Sequence, residues 1–203
     1  MSDPTRGAQP APTPVVFADP APLGLSGFAL TTLLLSIINT GLLKETGAIF
    51  TVLGLAAFYG GLAQFVAGLF EFRRGNTFGA TAFGSFGAFW LAYWWIVPHL
   101  SAAGDVHNAV GLFLLGWGIF TAFMTIAALR TSGAVLAVFV LLTVTFVLLA
   151  IGEFQNGHPS PDTLTKIGGW FGIATGLVAW YAAAATVVNE THKRPLLPTW
   201  PLR

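Results

Sequence analysis

Six long apolar stretches decide what this chain can fold into. They cover residues 23–43, 47–72, 77–97, 106–129, 133–152 and 166–188. A helix needs about 20 apolar residues to cross the hydrocarbon of a bilayer, and each stretch has that length. None carries a charge near its centre, where Asp, Lys or Arg costs about 2.5–3.5 kcal/mol. The charges sit instead in the gaps, at Lys44-Glu45, Arg73-Arg74, Asp105, Arg130, residues 153–162 and His192-Lys193-Arg194. Only 8% of residues are charged, against roughly 25% in a soluble domain, so this surface is built for lipid. The apolar runs are continuous, as in residues 134–151, whereas barrel strands alternate. The chain is therefore expected to be an all-α integral membrane protein, a bundle of six transmembrane helices. Residues 1–19, rich in Pro, Ala and Thr, are expected to form a disordered cytoplasmic tail. Residues 20–190 form the transmembrane domain and 191–203 a cytoplasmic C-terminal tail.

Six spans put both termini on one side. That side carries Arg6, Arg73, Arg74, Arg130, Lys193, Arg194 and Arg203, while the other carries only Lys44 and Lys166. Cytoplasmic loops are the basic ones. Both termini are therefore expected in the cytoplasm, with the protein in the cell membrane. The aromatic cluster Tyr93-Trp94-Trp95 and Trp170 then fall at the outer interface.

Glycine is frequent within the spans, in small-xxx-small series such as Gly168, Gly172 and Gly176. Small residues let helix backbones approach closely in lipid. The series fits tight packing within one bundle, or contacts between protomers, and spacing alone does not separate the two.

The chain offers little for catalysis. There is no cysteine, so disulfides, thiolate metal sites and thiol nucleophiles are excluded. His99, His107, His158 and His192 all fall at loops or span ends, and no pair has metal-ligand spacing. No nucleophile with a base partner is visible. No enzyme activity, metal or cofactor is expected, and a net charge of +1 gives no reason to expect nucleic acid. What remains is a set of uncharged polar side chains inside the spans, including Thr31, Thr32, Ser36, Asn39, Gln64, Thr81 and Ser85. Thr and Ser can bond their own helix backbone. Asn39 and Gln64 are harder to satisfy locally and are the stronger pathway candidates. Glu71 and Glu153 lie at span ends, where they read as interfacial or capping charges. The segment Asp19-Pro20-Ala21-Pro22-Leu23-Gly24-Leu25 enters the first span. Pro22 suits a helix start, and the segment reads either as a rigid entry turn or as a partly unwound stretch at a pore mouth.

That segment also resembles the N-P-A-P-L-G-L signature of the acetate uptake transporter family. Phe58-Tyr59-Gly60-Gly61-Leu62-Ala63-Gln64 is similar to the family's F-Y-G-G-x-A-Q block, and Gly75-Asn76-Thr77-Phe78-Gly79 to its G-N-T-F-G stretch. Further matching stretches, Thr81-Ala82-Phe83, Leu148-Leu149-Ala150-Ile151-Gly152 and Asn189-Glu190, extend it over nearly the whole chain from Asp19. The resemblance implies a homo-hexameric ring in the lipid membrane, with one pathway per protomer for acetate, succinate or other small carboxylic acids. It also implies a hydrophobic constriction of Phe, Tyr and Leu. These positions fall here at Phe28, Phe86 and Leu142, so the tyrosine hydroxyl is missing, and Asp19 replaces the leading Asn. The pathway candidates are then Asn39, Gln64, Thr31, Thr81 and Ser85, with Asp19, Pro20, Pro22 and Gly24 as the entry motif. The alternative is a membrane sensor or scaffold of the same fold that transports nothing.

Overall fold

The structure, a computed structural model, describes residues 17–43, 47–100, 106–155 and 163–202. Most of the expected N-terminal tail, together with Lys44, Glu45, Asp105, His158 and Arg203, lies outside the described residues.

The chain runs through α1 (Ala21–Asn39), α2 (Ala48–Ala57), a π-helical segment (Phe58–Ala63), α3 (Gln64–Arg74), α4 (Thr77–Ile96), a 3₁₀ turn (Val97–His99), α5 (Val106–Ala128), α6 (Gly133–Phe154) and α7 (Thr163–His192). Taking α2, the π segment and α3 as one unit gives six helices long and apolar enough to cross a bilayer, which are the six spans read from the sequence. The bounds differ by a few residues, and the largest change is in α7. It extends beyond the apolar run at both ends, from Thr163 to His192, because its last turns are held by the tail rather than by lipid.

The helix ends follow from local chemistry. Pro20 is the N-cap of α1 and Pro22 lies in its first turn, where a missing N–H costs nothing. The first helical bond, from Gly24 N to the Pro20 carbonyl, is already regular at 3.1 Å. The entry segment is thus a rigid helix start and not an unwound stretch. Gly75 ends α3 in the left-handed region at φ 73°, which favours glycine. Asn76 then caps α4, its side chain accepting from Gly79 N at 3.1 Å.

The core runs along the bundle axis, where α1 packs against α7, α5 against α6, α6 against α7 and α3 against α4. Glycine makes these approaches possible within the single protomer. A Cβ at Gly27 would collide with the Tyr59 carbonyl, and one at Gly172 with the Ser36 hydroxyl. Outward, Phe50, Phe58, Phe72, Leu112, Ile119 and Ile126 are exposed, the inverse of a soluble fold.

The C-terminal residues fold back on the bundle. Trp200 and Thr199 carbonyls accept from Gly133 N (2.7 Å) and Ala134 N (3.3 Å), and Leu202 N donates to the Thr131 carbonyl at 2.9 Å. The bonds to Gly133 and Ala134 satisfy the first N–H groups of α6, which have no partner inside the helix.

Candidate functional site

Two cavities lie end to end inside the bundle. The proximal one, at the end where α1 starts and α7 finishes, has a volume of about 190 Å³. The distal one has about 550 Å³. Phe28 of α1 and Leu142 of α6 line both, and so stand at the neck between them. Phe86 of α4 lines the proximal side. Its ring lies 5.7 Å from that of Phe28 and is backed by Phe139 at 6.1 Å and Phe120 at 5.4 Å. All three neck residues are buried, at 3–4% exposure. Three unrelated stretches of sequence thus meet in one hydrocarbon ring, and none of the three side chains has a polar atom.

The proximal cavity is built by the Phe58–Ala63 and Gly75–Gly79 segments. A π-helical turn carries an extra residue and rotates the residues after it by about 100° relative to an unbroken α-helix. Gln64 comes directly after this turn and lines the cavity, almost fully buried, with its Oε1 lacking a hydrogen-bond partner. Two turns on, Glu71 lines the same cavity and is 0% exposed. It is not the interfacial or capping charge its position at a span end suggests. Asn76 Nδ2 donates to Glu71 Oε2 at 2.9 Å, while Glu71 Oε1 is buried without a partner. Gly79 makes room for the carboxyl, since a Cβ there would lie 2.8 Å from the Glu71 carboxyl carbon. The G-N-T-F-G stretch is therefore a mount for Glu71: a turn glycine, an asparagine that caps one helix and holds the carboxyl of another, and a glycine that leaves space.

Asp19 sits beside this mount. Its carboxylate accepts from Ala21 N at 3.0 Å and pairs with Arg74. Arg74 also lies 4.0 Å from Glu71 Oε2. An acidic residue ahead of α1 is thus tied to a cation on α3.

The distal cavity carries Thr32, Ser36 and Asn39 from successive turns of α1, with Trp90 and Tyr93 from α4. Thr32 Oγ1 and Trp90 Nε1 are buried without partners. Near its far end His107 Nδ1 and Glu153 Oε2 lie 2.9 Å apart.

Of the pathway candidates, Gln64 lines the proximal cavity and Asn39 the distal one. Thr31, Thr81 and Ser85 line neither. Thr31 bonds its own helix at the Gly27 carbonyl (2.8 Å) and packs against Gly60. Gly24 packs against Phe83, and Pro20 and Pro22 shape the helix start. Glu71, Asn76 and Trp90 are site residues that the sequence reading does not pick out. The signal for Glu71 is the seven-residue step from Gln64, which places both on one helix face.

Fold and site define a multi-pass helical membrane protein whose six-helix bundle holds two cavities that meet at an apolar neck. Residues 3–203 match the GPR1/FUN34/yaaH family, and the chain belongs to it. The succinate-acetate/proton symporter SatP of Escherichia coli (strain K12) is 43% identical over 185 residues, covering 89% of this chain and 94% of the relative. Acetate permease A of Emericella nidulans is 43% identical over 197 residues, covering 90% of this chain and 65% of the relative. The solved structure of the bacterial acetate channel SatP superposes with a TM-score of 0.83 at 40% identity, covering 91% of this chain and 99% of that one.

Proposed function

We propose that this protein passes acetate and other small carboxylic acids, succinate among them, across the cell membrane. Each protomer of a hexameric ring holds its own path, and both termini face the cytoplasm. The observation that carries this reading is the pair of cavities meeting at Phe28 and Leu142, with Phe86 packed against Phe28. The names borne by the relatives agree with it.

The chemistry of the walls supports a sequence of weak stations. A carboxylate has only acceptor oxygens and is costly to desolvate without donors. On the distal side the indole N–H of Trp90 and the hydroxyl of Thr32 are free to donate. The neck has no donor, so it excludes bulk water and favours a solute that is small and partly apolar. No lysine or arginine among the described residues lines either cavity.

The test is uptake of labelled acetate by liposomes containing the purified protein, measured above protein-free liposomes. Uptake is expected for the wild type. Phe28→Ala opens the neck and is expected to admit larger acids and weaken the preference for acetate. Wild-type liposomes no faster than protein-free ones would overturn transport. A Phe28→Ala protein with wild-type rate and selectivity would remove the neck from the mechanism.

A further inference from the structure

Among the described residues, four buried side-chain atoms have no hydrogen-bond partner, and they divide by chemistry across the neck. On the distal side they are Trp90 Nε1, which only donates, and Thr32 Oγ1, which can donate. On the proximal side both are oxygens, Gln64 Oε1 and Glu71 Oε1. A carboxylate anion therefore finds donors distally. Proximally it meets acceptors, and there the matching ligand is one that brings an O–H.

Gln64 can meet either form, because its amide offers an N–H₂ as well as an oxygen. Glu71 is different. Its Oε2 is held by Asn76 and its Oε1 is free. The charged groups near it are Arg74 on its own helix, already paired with Asp19, and Asp19 itself ahead of α1. From α4 it faces Asn76 and Gly79, and from α6 the apolar Val135 and Val138 share its cavity. Two carboxylates brought into contact in such a place do not both ionise and hold one proton between them.

We propose that Glu71 is a proton-exchange station, and that the proximal cavity binds a short carboxylic acid with one proton shared between its carboxyl and that of Glu71. This rests on the transport reading above. The exchange balances on its own. The O–H bond of one carboxyl breaks as the other forms, the pair keeps one proton and a charge of −1, and no other reactant is used. When the ligand keeps the proton it enters the neck as a neutral acid, which suits a ring with no polar atom. Glu71 is left ionised and regains a proton from water on its own side.

The experiment follows acetate uptake into liposomes whose protein is oriented with its proximal end outward, so that the acid meets Glu71 before the neck, at fixed total acetate between pH 6 and 7, net of protein-free liposomes. An acid that must collect its proton in bulk water loses about tenfold in rate per pH unit here, because the undissociated fraction falls tenfold. Wild type, supplied by Glu71, is expected to lose less than about threefold. Glu71→Gln keeps the shape and the Asn76 contact but carries no exchangeable acid proton, and is expected to be slower and to lose about tenfold per unit. A Glu71→Gln profile parallel to that of wild type would overturn the proposal.

A second measurement needs no variant. An apolar carbodiimide adds to a carboxyl that holds a proton, and the adduct is located by mass spectrometry on the wild-type protein in membranes. Glu71 is expected to be labelled at neutral pH, with saturating acetate lowering the yield several-fold. No label at Glu71, or a yield that acetate leaves unchanged, would overturn the proposal. Failure of wild-type uptake counts against transport, whereas the labelling reports on Glu71 whatever the flux.

Discussion

Phe86 occupies a crowded position. Besides Phe28, Phe139 and Phe120, the ring of Trp117 lies 5.9 Å from it. Such contacts contribute roughly 0.5–1.5 kcal/mol each beyond burial, so the ring is fixed rather than free to swing out of the path. Phe86→Tyr would add one donor beside the neck. A single hydrogen bond to a passing carboxyl contributes about 0.5–1.5 kcal/mol, or roughly a two- to tenfold change in a rate ratio. The rate of acetate uptake in Phe86→Tyr is therefore expected to differ from wild type by that factor, read in matched liposomes. An unchanged rate would mean that the ring does not meet the carboxyl. At this scale the sequence shows only some of the site. Phe28, Phe86 and Leu142 come from matched motif blocks, and their meeting at one point is a tertiary fact that no local pattern contains. Glu71 reads wrongly from sequence because span ends usually hold interfacial charge. Its burial depends on Asn76 and Gly79, which lie across a helix boundary and turn a terminal carboxyl inward.

At the scale of elements, the six spans are legible because lipid imposes one rule on all of them: length in apolar residues. The break within the second is less legible. Phe58–Ala63 is as apolar as its neighbours, and its π-helical form comes from close packing of Gly60 on Thr31 and Gly61 on Leu91. The C-terminal strap reads as a plain tail for a similar reason, since its bonds are to distant backbone. Asn189 Oδ1 accepts from Leu196 N (2.7 Å) and Leu197 N (2.9 Å). The Tyr181 hydroxyl donates to the Pro198 carbonyl at 2.6 Å and its ring stacks on Trp200. Removing residues 196–203 would leave Gly133 N and Ala134 N at the start of α6 without these partners. Those two backbone bonds alone amount to about 1–3 kcal/mol, or a Tm lower by roughly 2–12 °C for a chain of this size. Thermal unfolding in detergent measures it, and an unchanged Tm would mean that the strap adds nothing to α6.

For the whole molecule the open quantity is orientation, and its basis is purely electrostatic. Among the described residues, Arg73, Arg74, Arg130, Lys193 and Arg194 fall at the proximal end and Lys166 at the distal end. The exposed indoles Trp94, Trp95 and Trp170 gather at the opposite end, where amphipathic rings sit at a membrane interface. Trp200, also exposed, marks the proximal interface. Orientation also sets what the cavities do. With the termini inside, the donors at Thr32 and Trp90 face the outside, and Glu71 faces the cytoplasm. An acid entering the cell would then be received as an anion and would meet the proton station only after the neck. An acid leaving would take its proton first. The protein contains no cysteine, so any introduced thiol is a unique reporter. Thr163→Cys, at the exposed distal start of α7, is expected to react with a membrane-impermeant maleimide on intact cells. Arg194→Cys, at the exposed proximal end, is expected to react only after the membrane is opened. The reverse pattern would invert the molecule in the membrane, and with it the direction in which donors and proton station are met.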